Sequence, residues 1–419
     1  EVFMATNPEN TSRGLLQVNA VNIQNNFPIS NAWVTIRYRG EPDRVIEQVE
    51  TNSSGQTVQV SLPAPPVEYS LEPQTIRPYA EYDVVVEAQG FVPLTIDGTE
   101  ILADSTAIQP AAMTPLGDGT PAEDPVVIPD HTLYGSYPPK IAEPEIKPVN
   151  ESGEIVLSRI VVPQTIVVHD GVPTDSSAPN YYVPYRDYIK NVACSEIYST
   201  WPEASITANV LAIMSFTLNR VYTEWYRNQG YDFTITSSTA FDHKWIYGRN
   251  LFQSIALVVD EIFDNYLSRP GVRQPILTQY CDGRQVSCPG WMTQWGSCSL
   301  GEQGYSPIEI LRYFYGDNMY VNTAEQISGI PASWPGYELT VGSRGDKVRQ
   351  LQEQLDAIAA VYSAIPRVTP DGIYGPGTEE AVRAFQNIFG LPQTGAVDFA
   401  TWYKISHIYV GVTRIAELV

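Results

Sequence analysis

The hydrophobic period changes along this chain, and the change limits what it can fold into. Between residues 14 and 113, apolar and polar residues alternate in LLQVNAVNIQ, AWVTIRY, QTVQVSL, YDVVVEA and STAIQPAAM. A period of two turns one side of each strand inward, and the turn signals NSSG and AQG separate these short β-branched runs. From about residue 185 apolar positions recur at three and four, the period of an α-helix. One backbone conformation cannot serve both periods, so a strand-built front must give way to a helix-rich remainder. Residues 116–165, including GDGTPAEDPVVIPDHTLYGSYPPKIAEPEIKPVNESGE, keep neither period. Their proline and acidic content reads as an extended linker, open to proteases unless something packs over it.

With 419 residues the chain should hold roughly two to four domains. Its formal net charge is −22, and residues 1–165 hold 8 Lys+Arg against 22 Asp+Glu. That field argues against nucleic acid and anionic membrane as partners, and a solvated acidic surface is its plainest meaning. No apolar run is long enough to cross a bilayer. The opening EVFMATNPENTS has neither an initiator Met nor a charged-then-apolar leader, as expected of a trimmed chain.

Three helices are expected in the middle third. PEASITANVLAIMSFTLNRVYTEWYRNQG places Ile206, Val210, Ile213, Met214, Leu218, Val221 and Trp225 on one face, with Pro202 in the first turn and Glu203 favourably placed beside it. RNLFQSIALVVDEIFDNYL gives a second helix, with Asp260, Glu261 and Asp264 expected on its solvated side. SPIEILRYFYG starts a third at Ser306. Between the last two lies an irregular Gly-, Cys- and Trp-rich stretch, TQYCDGRQVSCPGWMTQWGSCSLGEQGY. Upstream, in RDYIKNVACSEI, the stripe of Tyr188, Ile189, Val192 and Ala193 also takes in Glu196. Burying an ionised carboxylate is costly, so such a group has its pKa raised or is paired. Spacing alone favours a pair with Arg186 or Lys190.

Four cysteines, Cys194, Cys281, Cys288 and Cys298, are too few for a disulfide scaffold. His243 with the last three offers zinc-binding chemistry, but C-x6-C-x9-C is not a recurrent ligand spacing. Buried thiols or a single disulfide fit better, and no metal is assigned.

Residues 336–419 form a last unit. In GSRGDKVRQLQEQLDAI a Gly-bounded turn precedes a helix with Val348, Leu351, Leu355 and Ile358 inward. In DGIYGPGTEEAVRAFQNIFGLPQTGAVD a tight loop precedes one with Ala381, Val382, Phe385, Ile388 and Phe389 inward. Both half-motifs, from Gly342 to Leu355 and from Asp371 to Val397, closely resemble the peptidoglycan-binding domain type 1 family. The resemblance implies a three-helix bundle with a shallow groove for cell-wall glycan or stem peptide, and Asp371, Tyr374 and Gln386 as binding residues.

VPYRDYIKNVACSEIYSTWPEASITANVLAIMSFTLNR and CPGWMTQWGSCSLGEQGYSPIEILRYFYG together resemble the SpoIID/LytB family of sporulation cell-wall enzymes over residues 169–328. The shared theme is a helix ending in an acidic residue, a Trp-Pro step, a long Ala-rich helix and a later QWG tripeptide. The resemblance implies a catalytic domain of mixed α+β, helix-rich build, with Glu196 as the acid of a lytic transglycosylase. Tyr280, Gln294, Trp295, Tyr305 and Tyr313 are candidate sugar-binding residues, because aromatic faces suit pyranose rings; core positions are their commoner use. Glu302 and Glu309 are candidate supporting groups. The family's His-containing loop is replaced here by YCDGRQVSCPGWM, so roles of those histidines do not carry over.

Residues 1–115 resemble the carboxypeptidase-regulatory-like sandwiches, through NNFPISNAWVTIR followed by TNSSGQTVQVSLP. The order of parts (β sandwich, acidic linker at 116–168, catalytic unit, wall-binding unit) resembles the clostridial spore cortex-lytic enzymes. That implies a multidomain precursor acting on cortex peptidoglycan outside the cytoplasm in the spore, without a cofactor. A subtilisin-like germination protease would activate it by a cut within residues 147–166. Two other readings are a wall-binding protein that tethers or stimulates an amidase, and a structural coat or cortex protein.

Overall fold

The computed structural model describes residues 11–117, 119–147, 157–328 and 334–413. The front builds two sheets from β1 (Ser12–Asn22), β2 (Trp33–Tyr38), β3 (Val45–Glu50), β4 (Val60–Ala64), β5 (Ala80–Glu87), β6 (Leu94–Ile101), β7 (Thr106–Met113) and β8 (Val126–Val127). The period of two is realised directly: Leu16, Val18 and Ala20 of β1 face Tyr82, Val84 and Val86 of β5 across the core, all essentially without solvent contact. The Leu and Val side chains among these each contribute roughly 1.5–3 kcal/mol by leaving water. One sheet has the order β3-β2-β5-β6-β8.

Three features set the sandwich apart from a plain antiparallel one. β1 runs parallel to β7 and antiparallel to β4, so the front is not purely antiparallel. A short 3-10 turn, Val67–Ser70, interrupts it. It also borrows strands: β8 comes from the presumed linker, and the second sheet, β13-β7-β1-β4, takes β13 (Leu251–Phe252) from the middle of the chain. The front and centre are therefore sewn together. Arg249, fully buried, pairs with Glu100, while the amide of Asn250 bonds both ways with the Glu100 backbone at 3.0 Å. The Trp201 indole N–H donates to the Ser70 carbonyl at 2.8 Å.

In the centre, β9 (Val161–Val162) pairs with residues 326–327, and β10 (Thr165–His169) lies between β11 (Asn180–Pro184) and β12 (Ile235–Thr236). The helices are α1 (Tyr185–Glu196), α2 (Glu203–Tyr222), α3 (Gln253–Ile262), α4 (Gln294–Glu302) and α5 (Pro307–Tyr315). α4 lies in the stretch expected to be irregular, and α3 is shorter than its apolar pattern because Leu251–Phe252 is drawn into the front sheet. α1 is buried on nearly every side, so its stripe understated its surroundings. Asp260 is not solvated: it is buried against Lys190 at 2.7 Å and Arg186 at 3.3 Å. Asp264 is buried too, whereas Glu261 is exposed.

The last unit packs α6 (Asp346–Ala359), α7 (Pro376–Ile388) and α8 (Phe399–Thr413) around Trp402, Phe385 and Leu355. Its α8 reaches α1, where the Arg186 guanidinium donates to the Tyr403 carbonyl at 2.8 Å. No helix of the described residues is long and apolar enough to cross a membrane. Burial pushes the Glu100 carboxyl up to about 7 despite Arg249. Removing its partner in Arg249→Met should cost about 3 kcal/mol, the low end for a broken buried pair, because Glu100 can take up a proton instead. Urea unfolding at pH 7 should show the loss, and Glu100→Leu added to it should restore much of it.

Candidate active site

Glu196 is the last residue of α1, where Ile197 turns extended and Trp201-Pro202 starts α2. Proline disfavours a helical Trp201, so the chain must turn here, and the turn sets the carboxylate at the floor of a cleft. The cleft encloses about 480 Å³ including its mouth. Glu196 is 3% exposed. One carboxylate oxygen accepts the Lys244 backbone N–H at 2.6 Å, and the other accepts the Tyr280 hydroxyl. Burial raises its pKa above the ordinary carboxylate value, against the pull of Lys140 and these two donors. A position at the negative end of α1 acts in the same direction. The partners that spacing suggested, Arg186 and Lys190, are instead taken by Asp260.

Two neighbours hold the Tyr280 ring. The His243 ring stacks on it at 5.9 Å, and the Lys140 ammonium lies 5.1 Å over its face. Burial holds His243 well below its usual pKa, hence neutral, with Nδ1 3.1 Å from the Tyr188 hydroxyl. The loop carrying His243 and Lys244 is ordered by Asp242, which accepts Arg220, Tyr226, and both the backbone and hydroxyl of Thr236.

The QWG tripeptide opens α4. Gln294 lines the cleft, and its amide donates to the Glu196 carbonyl at 2.8 Å. Gly296 leaves no room for a side chain, since a Cβ would stand 2.2 Å from the Thr293 hydroxyl oxygen. Trp295 is packed inside against Trp201 at 5.2 Å and Tyr198 at 6.0 Å, so it is core and not a sugar platform. Tyr305 and Tyr313 are exposed and do not line the cleft. Glu302 is exposed, and Glu309 closes the capping box of α5 with Ser306. Of the candidates, the structure brings Glu196, Tyr280 and Gln294 together.

Thr132, Tyr137, Pro138, Pro139 and Lys140 form the opposite wall, so the presumed linker is docked across the cleft. Gln279 clamps it, donating to the Ile141 carbonyl at 2.7 Å and accepting the Glu143 N–H at 2.8 Å. Gln274 does the same at Lys147, and Arg220 grips both oxygens of Glu143 at 2.6 and 3.0 Å. Residues 148–156, where much of the expected activation region falls, lie outside the described residues. Sequence reasoning also missed Lys244, a backbone donor without a sequence signal, and Asp282. The Asp282 carboxylate lines the cleft but accepts the Gln285 and Val286 N–H groups at 2.6 and 2.9 Å. Cys281 and Cys288 form a disulfide beside it, which removes them from any zinc set, and Cys194 and Cys298 are free and buried.

In the last unit Tyr374 and Gln386 face inward. The Tyr374 hydroxyl donates to the Gly395 carbonyl at 2.8 Å, and the Gln386 amide bonds Thr394, Ala396, Thr401 and Gly395. They shape loops from within and offer no face to a ligand. Asp371 is exposed, holding Gln352 and the Ile373 N–H.

Residues 344–405 match the family described as "Putative peptidoglycan binding domain". A zinc D-Ala-D-Ala carboxypeptidase of Streptomyces albus G is 38% identical over 73 residues, 17% of this chain and 27% of that protein. The chain thus spans about a quarter of the length of the curated relative it matches. Among solved structures, the SleB N-terminal domain is 30% identical over 17% of this chain and 93% of its own, with a TM-score of 0.16. A 5-hydroxyisourate hydrolase from Klebsiella pneumoniae is 18% identical over 25% of this chain and 92% of its own, with a TM-score of 0.18. The last unit is thereby a peptidoglycan-binding domain.

The raised pKa of Glu196 has a stability consequence. The native state holds the proton to a higher pH than the unfolded chain does. Stability is therefore lost as pH rises from the unfolded value through the folded one, and stays lost above it. Glu196→Gln, which keeps an acceptor for Lys244, should melt higher than the parent at pH 7. Thermal denaturation should show that gap narrowing as pH falls toward about 4.3, the ordinary glutamate value, and closed below it.

Proposed function

We propose that this chain is the precursor of a wall-lytic enzyme, a lytic transglycosylase that cleaves the N-acetylmuramic acid–N-acetylglucosamine bond of spore-cortex peptidoglycan. The observation that carries the reading is one sheltered carboxyl at a cleft floor, with a tyrosine hydroxyl and a backbone N–H aimed at it. Burial favours the protonated form of this carboxyl, which can donate its proton to the glycosidic oxygen. The carboxylate then left is stabilised by Tyr280 and Lys244. It takes the proton of the muramic C6 hydroxyl as that oxygen closes on the anomeric carbon, giving a 1,6-anhydro sugar. A single acid/base residue suffices, and no cofactor is called for.

The 132–147 segment supports the precursor reading, because it fills the wall that a glycan strand would approach. Lys140 also places a cation where it favours the ionised, inactive form of Glu196. Removal of the front by a germination protease would uncover the cleft outside the cytoplasm, where the last unit holds the wall. A second reading, a wall-binding protein that assists a partner amidase, is favoured by the same coverage of Glu196.

The test is mass spectrometry of cortex glycan treated with intact chain and with chain cut within residues 147–166. The cut chain should release 1,6-anhydro muropeptides, the intact chain far fewer, and Glu196→Gln should lower the cut chain's rate by about 10²–10⁴. Reducing-end products would point to hydrolysis with Asp282 as second carboxylate. No cleavage by the cut chain would leave the binding role.

A further inference from the structure

A second cleft, larger than the first, opens where the three parts of the chain meet, enclosing about 1440 Å³ with its mouth. One wall is the outer face of the front sheet, where Gln17, Asn19 and Gln59 project opposite to the core-facing Leu16, Val18 and Val60. Another is α1 and α3, with Gln253. The third is the end of α7 and the loop after it, with Tyr362, Phe389 and Gln393, and Lys404 of α8. Gln56 spans the walls, its amide donating to the Ile388 carbonyl at 2.6 Å.

The charges at the cleft floor are unbalanced. Arg186 and Lys190 of α1 are both spent on Asp260 of α3. Asp187 of α1 lies 3.9 Å from His407 of α8, whose pKa is lowered to about 4, so that ring is neutral at pH 7. Among the described residues Lys404 has no ion-pair or hydrogen-bond partner within bonding distance, and burial together with Lys190 pushes its pKa down to about 8 against the pull of Asp260 and Asp187. Arg186, Lys190 and Lys404 thus stand against two carboxylates, Asp187 and Asp260, which leaves an excess of one positive charge beside the cleft of a chain whose net charge is −22. The side chains of Gln59 and Gln253 likewise make no hydrogen bond among the described residues. Gln17 donates to Asn19 at 2.9 Å and keeps its oxygen open, so the wall presents carboxamide groups, which both donate and accept and suit hydroxyl, acetamido and peptide groups. A lone ammonium suits a carboxylate.

We propose that this junction is a binding site for an anionic peptidoglycan fragment, with a stem-peptide carboxylate on Lys404 and the sugar or peptide backbone on the front-sheet carboxamides. The proposal rests on the wall-binding role of the last unit and adds that the front sheet completes the site. Intact chain would then hold a muropeptide with groups that its last unit alone does not own.

Calorimetric titration of a disaccharide–tetrapeptide into full chain carrying Glu196→Gln tests this, beside a ligand whose carboxylates are converted to amides. Lys404→Met should weaken the free acid tenfold or more, and the amidated ligand should bind the parent equally weakly. Lys404→Arg should restore much of the affinity, which a lost fold would not. Gln17→Leu with Gln59→Leu should also weaken binding, by about threefold or more. Unchanged affinity in Lys404→Met or in the front-sheet variant would overturn the composite site. If insoluble wall still pulled down every variant, the general wall-binding role would survive that failure. If even the parent failed to bind wall, that underlying role would itself be refuted.

Discussion

Arg220 holds the candidate active site together. Its guanidinium, fully buried at the end of α2, meets Asp242 at 2.7 Å on one side and Glu143 on the other. Through Asp242 it orders the loop whose Lys244 N–H reaches Glu196; through Glu143 it holds the strap that covers the same carboxyl. An arginine buried this way is tolerable only with its donors satisfied, and removing either acid would leave an uncompensated charge. One ion-pair network thus builds the floor of the cleft and closes its roof.

This arrangement places two opposed demands on Glu196. The apolar surroundings of α1 favour a bound proton, whereas Tyr280, Lys244 and Lys140 favour the ionised form. Tyr280 and Lys244 belong to the central unit and would stay in a cut chain. Lys140 belongs to the strap and would leave with it. In the precursor we propose, shape and charge would act together, since the cation beside the cleft also draws the proton away from Glu196.

Much of the architecture was legible in residue periodicity, because burial on one face of a strand or helix leaves a repeat in the sequence. The strands around Leu16 and Tyr82 and the helices of the last unit are of this kind. Pattern failed where partners are distant. Asp260 looked solvated because its helix has a polar side, yet that side meets α1 and its two cations. α4 was hidden by Gly296 and Gly301, poor helix formers kept for close packing. Trp295 is a sugar-binding candidate by residue type, and packing against Trp201 and Tyr198 places it in the core. The strap had one trace in the sequence, Lys140 and Lys147 standing in an otherwise acidic stretch. Their burial depends on Glu143, Arg220 and Gln279, which no local window connects.

The proton on Glu196 is the quantity on which the catalytic reading stands. Carbon-13 NMR of the glutamate carboxyls across pH, with Glu196→Gln to assign the signal, would measure it in the protein directly. A midpoint above the ordinary value of about 4.3 is the expected result. A midpoint at or below that value would mean a permanently ionised group, and a carboxylate without a proton to give cannot act as the acid.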